Sequence, residues 1–154
     1  MTIIIEKNII LIATKQVAIR RKMKLSSKTH YGLNACHILG RNYPDSAVSA
    51  SALEAQLSVS GKYLEKIMRM LSNRGIVTAT RGKSGGYYLA RAPKDITVGE
   101  IVRALEDDME IVECVKDGGK CKCCPTSKVW KKLYEGINSL LDGMTVEQMI
   151  NGEL

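Results

Sequence analysis

The apolar positions of this chain fall into short runs of helical spacing, and the sharpest run lies between Ser58 and Leu89. Leu64, Ile67, Met68 and Leu71 recur at i, i+3, i+4 and i+7, which gathers them on one face and predicts its burial. Lys62, Glu65, Lys66 and Arg69 fall on the rest of that helix. Ser60 is a candidate N-cap, and Gly75 supplies the left-handed residue that ends a helix. The pattern then changes. Ile76 to Thr80 reads as a strand and Tyr87-Tyr88-Leu89 as its return, joined by Arg81-Gly82-Lys83-Ser84-Gly85-Gly86. A helix followed by a basic hairpin is the outline of a winged helix-turn-helix, with a helix for the major groove and a wing beside it.

Upstream, a first helix is expected to begin after Ser26 or Ser27 and to stop at Gly40, with Tyr31, Leu33 and Ala35 to Leu39 as its apolar surface. Cys36 reads as a core residue there, and His37 as structural. Pro44 marks a turn over 42–45, and a short helix should follow from Ser49 or Ser51 to Leu57 with Leu53 and Ala55 inward. That spacing is helix-turn-helix spacing. Past Pro93, Thr97-Val98-Gly99-Glu100 has the form of a capping box, opening a helix with Ile101, Val102 and Leu105 on one side. After Pro125 a longer helix carries Val129, Trp130, Leu133, Ile137, Leu140 and Leu141, a seam too wide for a lone surface helix. Such a seam suits a two-fold partner surface, the alternative being that it packs back on its own winged domain. Thr145 to Gln148 should cap a last short helix.

The expected fold is mostly α with a small β-hairpin wing: a winged helix-turn-helix plus a long C-terminal dimerisation helix. Residues 23–93 form the DNA-binding unit in this reading, and 94–154 hold a helix, a cysteine-rich loop and the dimerisation helix. Residues 1–22 do not match the pattern of the rest of the chain. Their apolar runs are broken by Glu6-Lys7-Asn8, too short to span a bilayer, and lack the order of a signal peptide. They read as an extension ahead of a natural start at Met23, so protein beginning there should keep DNA binding and dimerisation.

Composition narrows the partner. The formal charge is +7 and the pI near 9.2, which favours nucleic acid or an anionic surface. Between Lys62 and Lys83 stand six Lys or Arg and one acid, a balance suited to a polyanion. Lys62 and Lys66 lie one turn apart and can meet phosphates or guanine edges together. Glu65 is repelled by phosphate but can accept from a cytosine amino group, so it lends itself to sequence selection. Arg81 can enter a narrow minor groove, while Gly82, Gly85 and Gly86 let the backbone turn and approach. A phosphate-loop reading of this glycine run fails on spacing, and no long helix follows it. No hydrolase or metalloprotease constellation is visible either, so an enzyme is not expected.

Five cysteines in a chain without a secretory signal favour a reducing, cytoplasmic setting and metal or redox chemistry over disulfides. Cys114, Cys121, Cys123 and Cys124 lie within eleven residues, flanked by Lys116, Lys120 and Lys122. Neighbouring ammonium groups favour the thiolate, the form that binds metal or reacts with oxidants. Spacing alone leaves zinc, a cluster and a redox switch open.

Four pieces in order resemble the Rrf-type winged helix-turn-helix transcription regulators (the IscR/NsrR/CymR-like proteins). They are Met23-Lys24-Leu25-Ser26 with Tyr31, then Tyr63-Leu64-Glu65, then Arg81-Gly82 with Gly85-Gly86-Tyr87, then the cysteine loop followed by Trp130. The resemblance covers about Met23 to Gly152. It implies a homodimer on a palindromic double-stranded operator, a repressor by expectation, with DNA contacts from Lys62, Tyr63, Glu65, Lys66, Arg81, Gly82, Lys83 and Ser84. It further implies an iron–sulfur cluster (2Fe-2S or 4Fe-4S) on Cys114, Cys121 and Cys124, tuned to cluster, redox or nitrosative status. Where related proteins place a ligating His this chain has Ser127, so Cys123 or His30 is the candidate fourth ligand. The rival readings are a cluster-free, CymR-like thiol or partner-controlled regulator of sulfur metabolism, and a zinc-bearing interaction module.

Overall fold

The computed structural model describes residues 25–82, 85–106 and 125–154. Helix α1 (Ser27–Arg41) is followed by α2 (Ala50–Leu57), α3 (Gly61–Asn73), the hairpin β1 (Val77–Thr80) and β2 (Gly86–Leu89), and a 3-10 turn (Pro93–Asp95). Helices α4 (Val98–Leu105), α5 (Ser127–Asp142) and α6 (Val146–Asn151) complete it. Helix α1 runs through the centre, packed against α2, α3, α4, α6 and β2. The helical spacing of the apolar residues translates directly for α3: Leu64, Ile67, Met68 and Leu71 are all buried. They join Leu39, Leu53, Ile76, Leu89, Ile96, Ile101, Leu105 and Val146 in one core, so residues on both sides of position 93 share it. Burying each such side chain contributes about 1.5–3 kcal/mol before conformational entropy is set against it.

Two expectations about α1 and α2 need correction. Gly40 does not stop α1, which continues to Arg41. Gly40 is buried under α6, and a Cβ there would lie 2.6 Å from Ile150 Cδ1, so its lack of a side chain serves helix packing. Ala55 is exposed rather than inward; Leu57 takes the buried position beside Leu53 because α2 turns its i, i+4 pair to the core. The N-cap of α2 is Ser49, whose hydroxyl accepts from the Ala52 N–H at 3.2 Å.

Gly75 ends α3 as expected. Its φ is +67°, and its N–H reaches Ser72 O while the Ile76 N–H reaches Leu71 O, the paired bonds of a Schellman ending. The chain turns directly into β1, paired antiparallel to β2 with Val77 opposite Leu89 and Thr80 opposite Gly86. A third backbone segment joins the wing. Val48 and Tyr87 exchange both N–H···O bonds, at 2.8 and 2.9 Å, immediately before α2 begins. Gly86 makes this possible, since any Cβ would be driven into the Val48 carbonyl.

Both capping boxes form. Thr97 and Glu100 exchange side chain-to-backbone bonds at the start of α4, and Thr145 and Gln148 do so at the start of α6. The two caps also meet. Val98 N–H donates to Met144 O and Val146 N–H to Ile96 O, an antiparallel bridge centred on Thr97 and Thr145. At the other end of α4, Glu106 reaches back to the start of α1. Its Oε1 accepts from the Ser26 N–H and hydroxyl, each at 2.7 Å, and from the buried Thr29 hydroxyl. The first turn of α1 has no acid of its own, so this distant carboxylate serves the helix N-terminus.

This clamp predicts an acid-labile contribution. Burial pushes the Glu106 pKa up, but hydrogen bonds from Thr29 and Ser26 and the Lys28 charge outweigh it and hold the carboxyl below its ordinary 4.5. A carboxyl depressed in the folded state stabilises fully above the unfolded value and loses that contribution as pH falls through the folded one. Glu106→Gln should therefore flatten the fall in urea midpoint below pH 4.5. An unchanged acid limb would mean the clamp carries no net free energy.

Candidate nucleic-acid interface

The side of α3 opposite its core face carries Lys62, Glu65, Lys66 and Arg69, all exposed. Tyr63 is half-buried, its ring set edge-on to Tyr31 at 5.9 Å, which fixes the N-terminal turn of α3 against α1. Arg81 is exposed at the end of β1, and Gly82 comes next with φ +111°, a conformation that favours glycine. Gly85 and Gly86, both half-buried, lie close to neighbouring backbone, Gly85 to Thr80 and Gly86 to Val48. Gly82 and Gly85 close the turn between the strands, the Gly85 N–H donating to the Gly82 carbonyl at 2.9 Å. Lys83 and Ser84 lie outside the described residues.

Two residues that spacing did not single out belong to this surface. Glu54 on α2 lays its carboxylate over Gly61, the first residue of α3: a methyl group there would sit 2.7 Å from Glu54 Oε1. Tyr87 stands on β2 between the helices, half-buried. Burial, then the Glu65 charge, then the Glu54 charge push its hydroxyl pKa above the ordinary 10.0. Both carboxylates therefore lie near enough for their charge to reach Tyr87. For Glu54 the hint in the sequence was a glycine at the first position of a helix, where no turn required one.

The apolar seam of α5 is open in the single chain. No residue of α5 is buried, and Val129, Leu133 and Leu140 are 62%, 44% and 66% exposed. Val129, Leu133, Gly136, Ile137 and Leu140 line one shallow apolar groove. Val129, Leu133 and Leu140 thus do not pack back on the winged domain, whereas Trp130, Ile137 and Leu141 are half-buried. Polar contacts also anchor α5: Arg103 donates to Asn138 Oδ1 at 3.2 Å and pairs with Asp142.

Cys114, Cys121, Cys123 and Cys124 lie outside the described residues. Among the described residues no group of three or more His, Cys, Asp or Glu could hold a metal. Cys36 is fully buried, and burial pushes its thiol up to about 12, so it stays a protonated core residue. His30 is exposed on α1, Nε2 lying 3.3 Å from Asn34 Nδ2, and His37 lines a polar groove with Ile38 and Gln56. No helix among the described residues is long and apolar enough to cross a membrane.

Comparison with known proteins agrees with this geometry. The Rrf2 family, described as "Iron-dependent Transcriptional regulator", matches residues 25–152. The chain is 32% identical to the HTH-type transcriptional regulator CymR of Bacillus subtilis, covering 82% of this chain and 89% of that one. A solved structure of CymR, "the Global Cysteine Regulator of B. subtilis", superposes with TM-score 0.70 at 30% identity, covering 83% of this chain and 96% of the other. A structure of T. potens IscR gives TM-score 0.67 at 34% identity, covering 85% and 88%. These relatives are regulators, not enzymes. The chain belongs to the Rrf2 family of transcriptional regulators.

Proposed function

We propose that this protein is a dimeric repressor that reads a palindromic operator and senses cluster, redox or nitrosative status through an iron–sulfur cluster. The observation that carries the DNA half is the exposed row Lys62, Glu65 and Lys66 on α3, with Arg81 beside it on the wing. In this reading α3 lies in the major groove, Lys62 and Lys66 meet phosphates or guanine edges, and Glu65 accepts from cytosine. Tyr63 supports the first turn against the backbone, and Arg81, Gly82, Lys83 and Ser84 track the adjacent minor groove.

The open apolar face of α5 supports the dimer. Paired about a two-fold axis, it covers Val129, Leu133 and Leu140 with their own copies. Leu140→Glu places two carboxylates in that seam. It should weaken the dimer by about 4 kcal/mol or more, near a thousandfold, in sedimentation equilibrium. A variant as dimeric as the parent would move the interface elsewhere.

For the cluster, the donor chemistry fits. Three thiols at Cys114, Cys121 and Cys124 suit iron, with Cys123 or the exposed His30 as fourth ligand, while Cys36 is withheld by burial. A bound cluster would supply an oxidant- and nitric oxide-reactive centre. The likeness to CymR favours a second reading, a cluster-free regulator working through thiols or a protein partner. Visible absorption and iron content of anaerobically purified protein separate the two, and zinc without colour would favour neither.

A further inference from the structure

We infer that Glu54 is a specificity residue: its carboxylate lies over Gly61 at the start of α3 and keeps DNA phosphate from docking there. This rests on the reading of α3 as the groove helix. The first turn of a helix exposes unpaired N–H groups and a partial positive charge, which makes it a natural seat for a backbone phosphate. In α3 that turn has no acid of its own, and Ser60 at the N-cap makes no side-chain bond to it. Glu54 brings a carboxylate over Gly61 from α2. It can do so because position 61 is glycine, since a Cβ would come within 2.7 Å of Oε1 and 3.1 Å of Cδ.

The charges of Glu65 and Glu54 both reach Tyr87 on the wing strand. The exposed cations described on α3 and the wing are Lys62, Lys66, Arg69 and Arg81, with the carboxylates of Glu54 and Glu65 among them. A duplex of arbitrary sequence, held only through phosphates, slides until one meets Glu54 and is repelled. On the correct operator α3 sits centrally in the groove, its first turn facing base edges, and Glu54 meets no phosphate. Specificity then comes from penalising misplaced backbones as well as from rewarding correct bases.

The test uses full-length protein and two duplexes of equal length, one recovered by selection on the parent from a random pool and one unselected. Glu54→Gln should raise affinity for the unselected duplex about two- to fivefold, the scale of one exposed charge interaction, and leave the selected one nearly unchanged. Gly61→Ala should reproduce that loss of discrimination by pushing the carboxylate aside, while keeping its charge. Equal gains on both duplexes, or no change with either variant, would overturn the inference. Lys66→Ala serves as the control for the underlying reading: if it too leaves binding untouched, α3 is not the groove helix.

Discussion

Alanine at Cys114, Cys121 or Cys124 is expected to abolish the visible absorption and iron content of anaerobically purified protein, while Cys36→Ala leaves both intact. The contrast comes from burial. The Cys36 thiol is sealed among α1 core residues and stays protonated, so its loss costs only packing, about 1 kcal/mol by analogy with small core truncations. The other three have lysine neighbours that favour thiolate, and a site with three cysteine ligands cannot spare one. Separate replacement of Cys123 and His30 then identifies the fourth ligand, because only the true one destabilises the cluster. Stoichiometric zinc without iron or colour would sink the cluster proposal and leave the DNA-binding one standing.

Lys66→Ala and Arg81→Ala should each weaken operator binding by about a hundredfold. Each substitution removes a contact twice in a symmetric dimer, and one charge-assisted contact is worth roughly tenfold. The slope of log affinity against log salt should fall by about two for each variant that loses a phosphate contact. Neither side chain is buried, so thermal unfolding should be unaffected. Unchanged affinity at moderate salt for both variants would remove α3 and the wing from the interface.

Features encoded within four residues were legible in the sequence. Both capping boxes formed as spaced, because a Thr hydroxyl and the residue three positions on complete each other without outside help. The α3 stripe and its Gly75 ending were legible for the same reason. Contacts between distant segments were not. Gly40 has the character of a helix stop until α6 is laid across it, and the Val48–Tyr87 bridge unites positions that no periodicity connects. Glu106 answers an uncapped helix start 80 residues earlier. At the candidate site, the exposed cations were legible from charge and spacing, whereas Glu54 was not, since its role depends on where α2 places it.

The bridge between Thr97 and Thr145 has a consequence for how damage would spread. Two backbone bonds clasp the chain as it enters α4 and again as it leaves α5, and the Arg103–Asp142 pair adds a second clasp farther out. Helix α4 carries Ile101 and Leu105 into the core that α3 shares, so a change that loosens the start of α6 is felt at the start of α4 and, through it, under α3. The two caps therefore stand or fall as a pair.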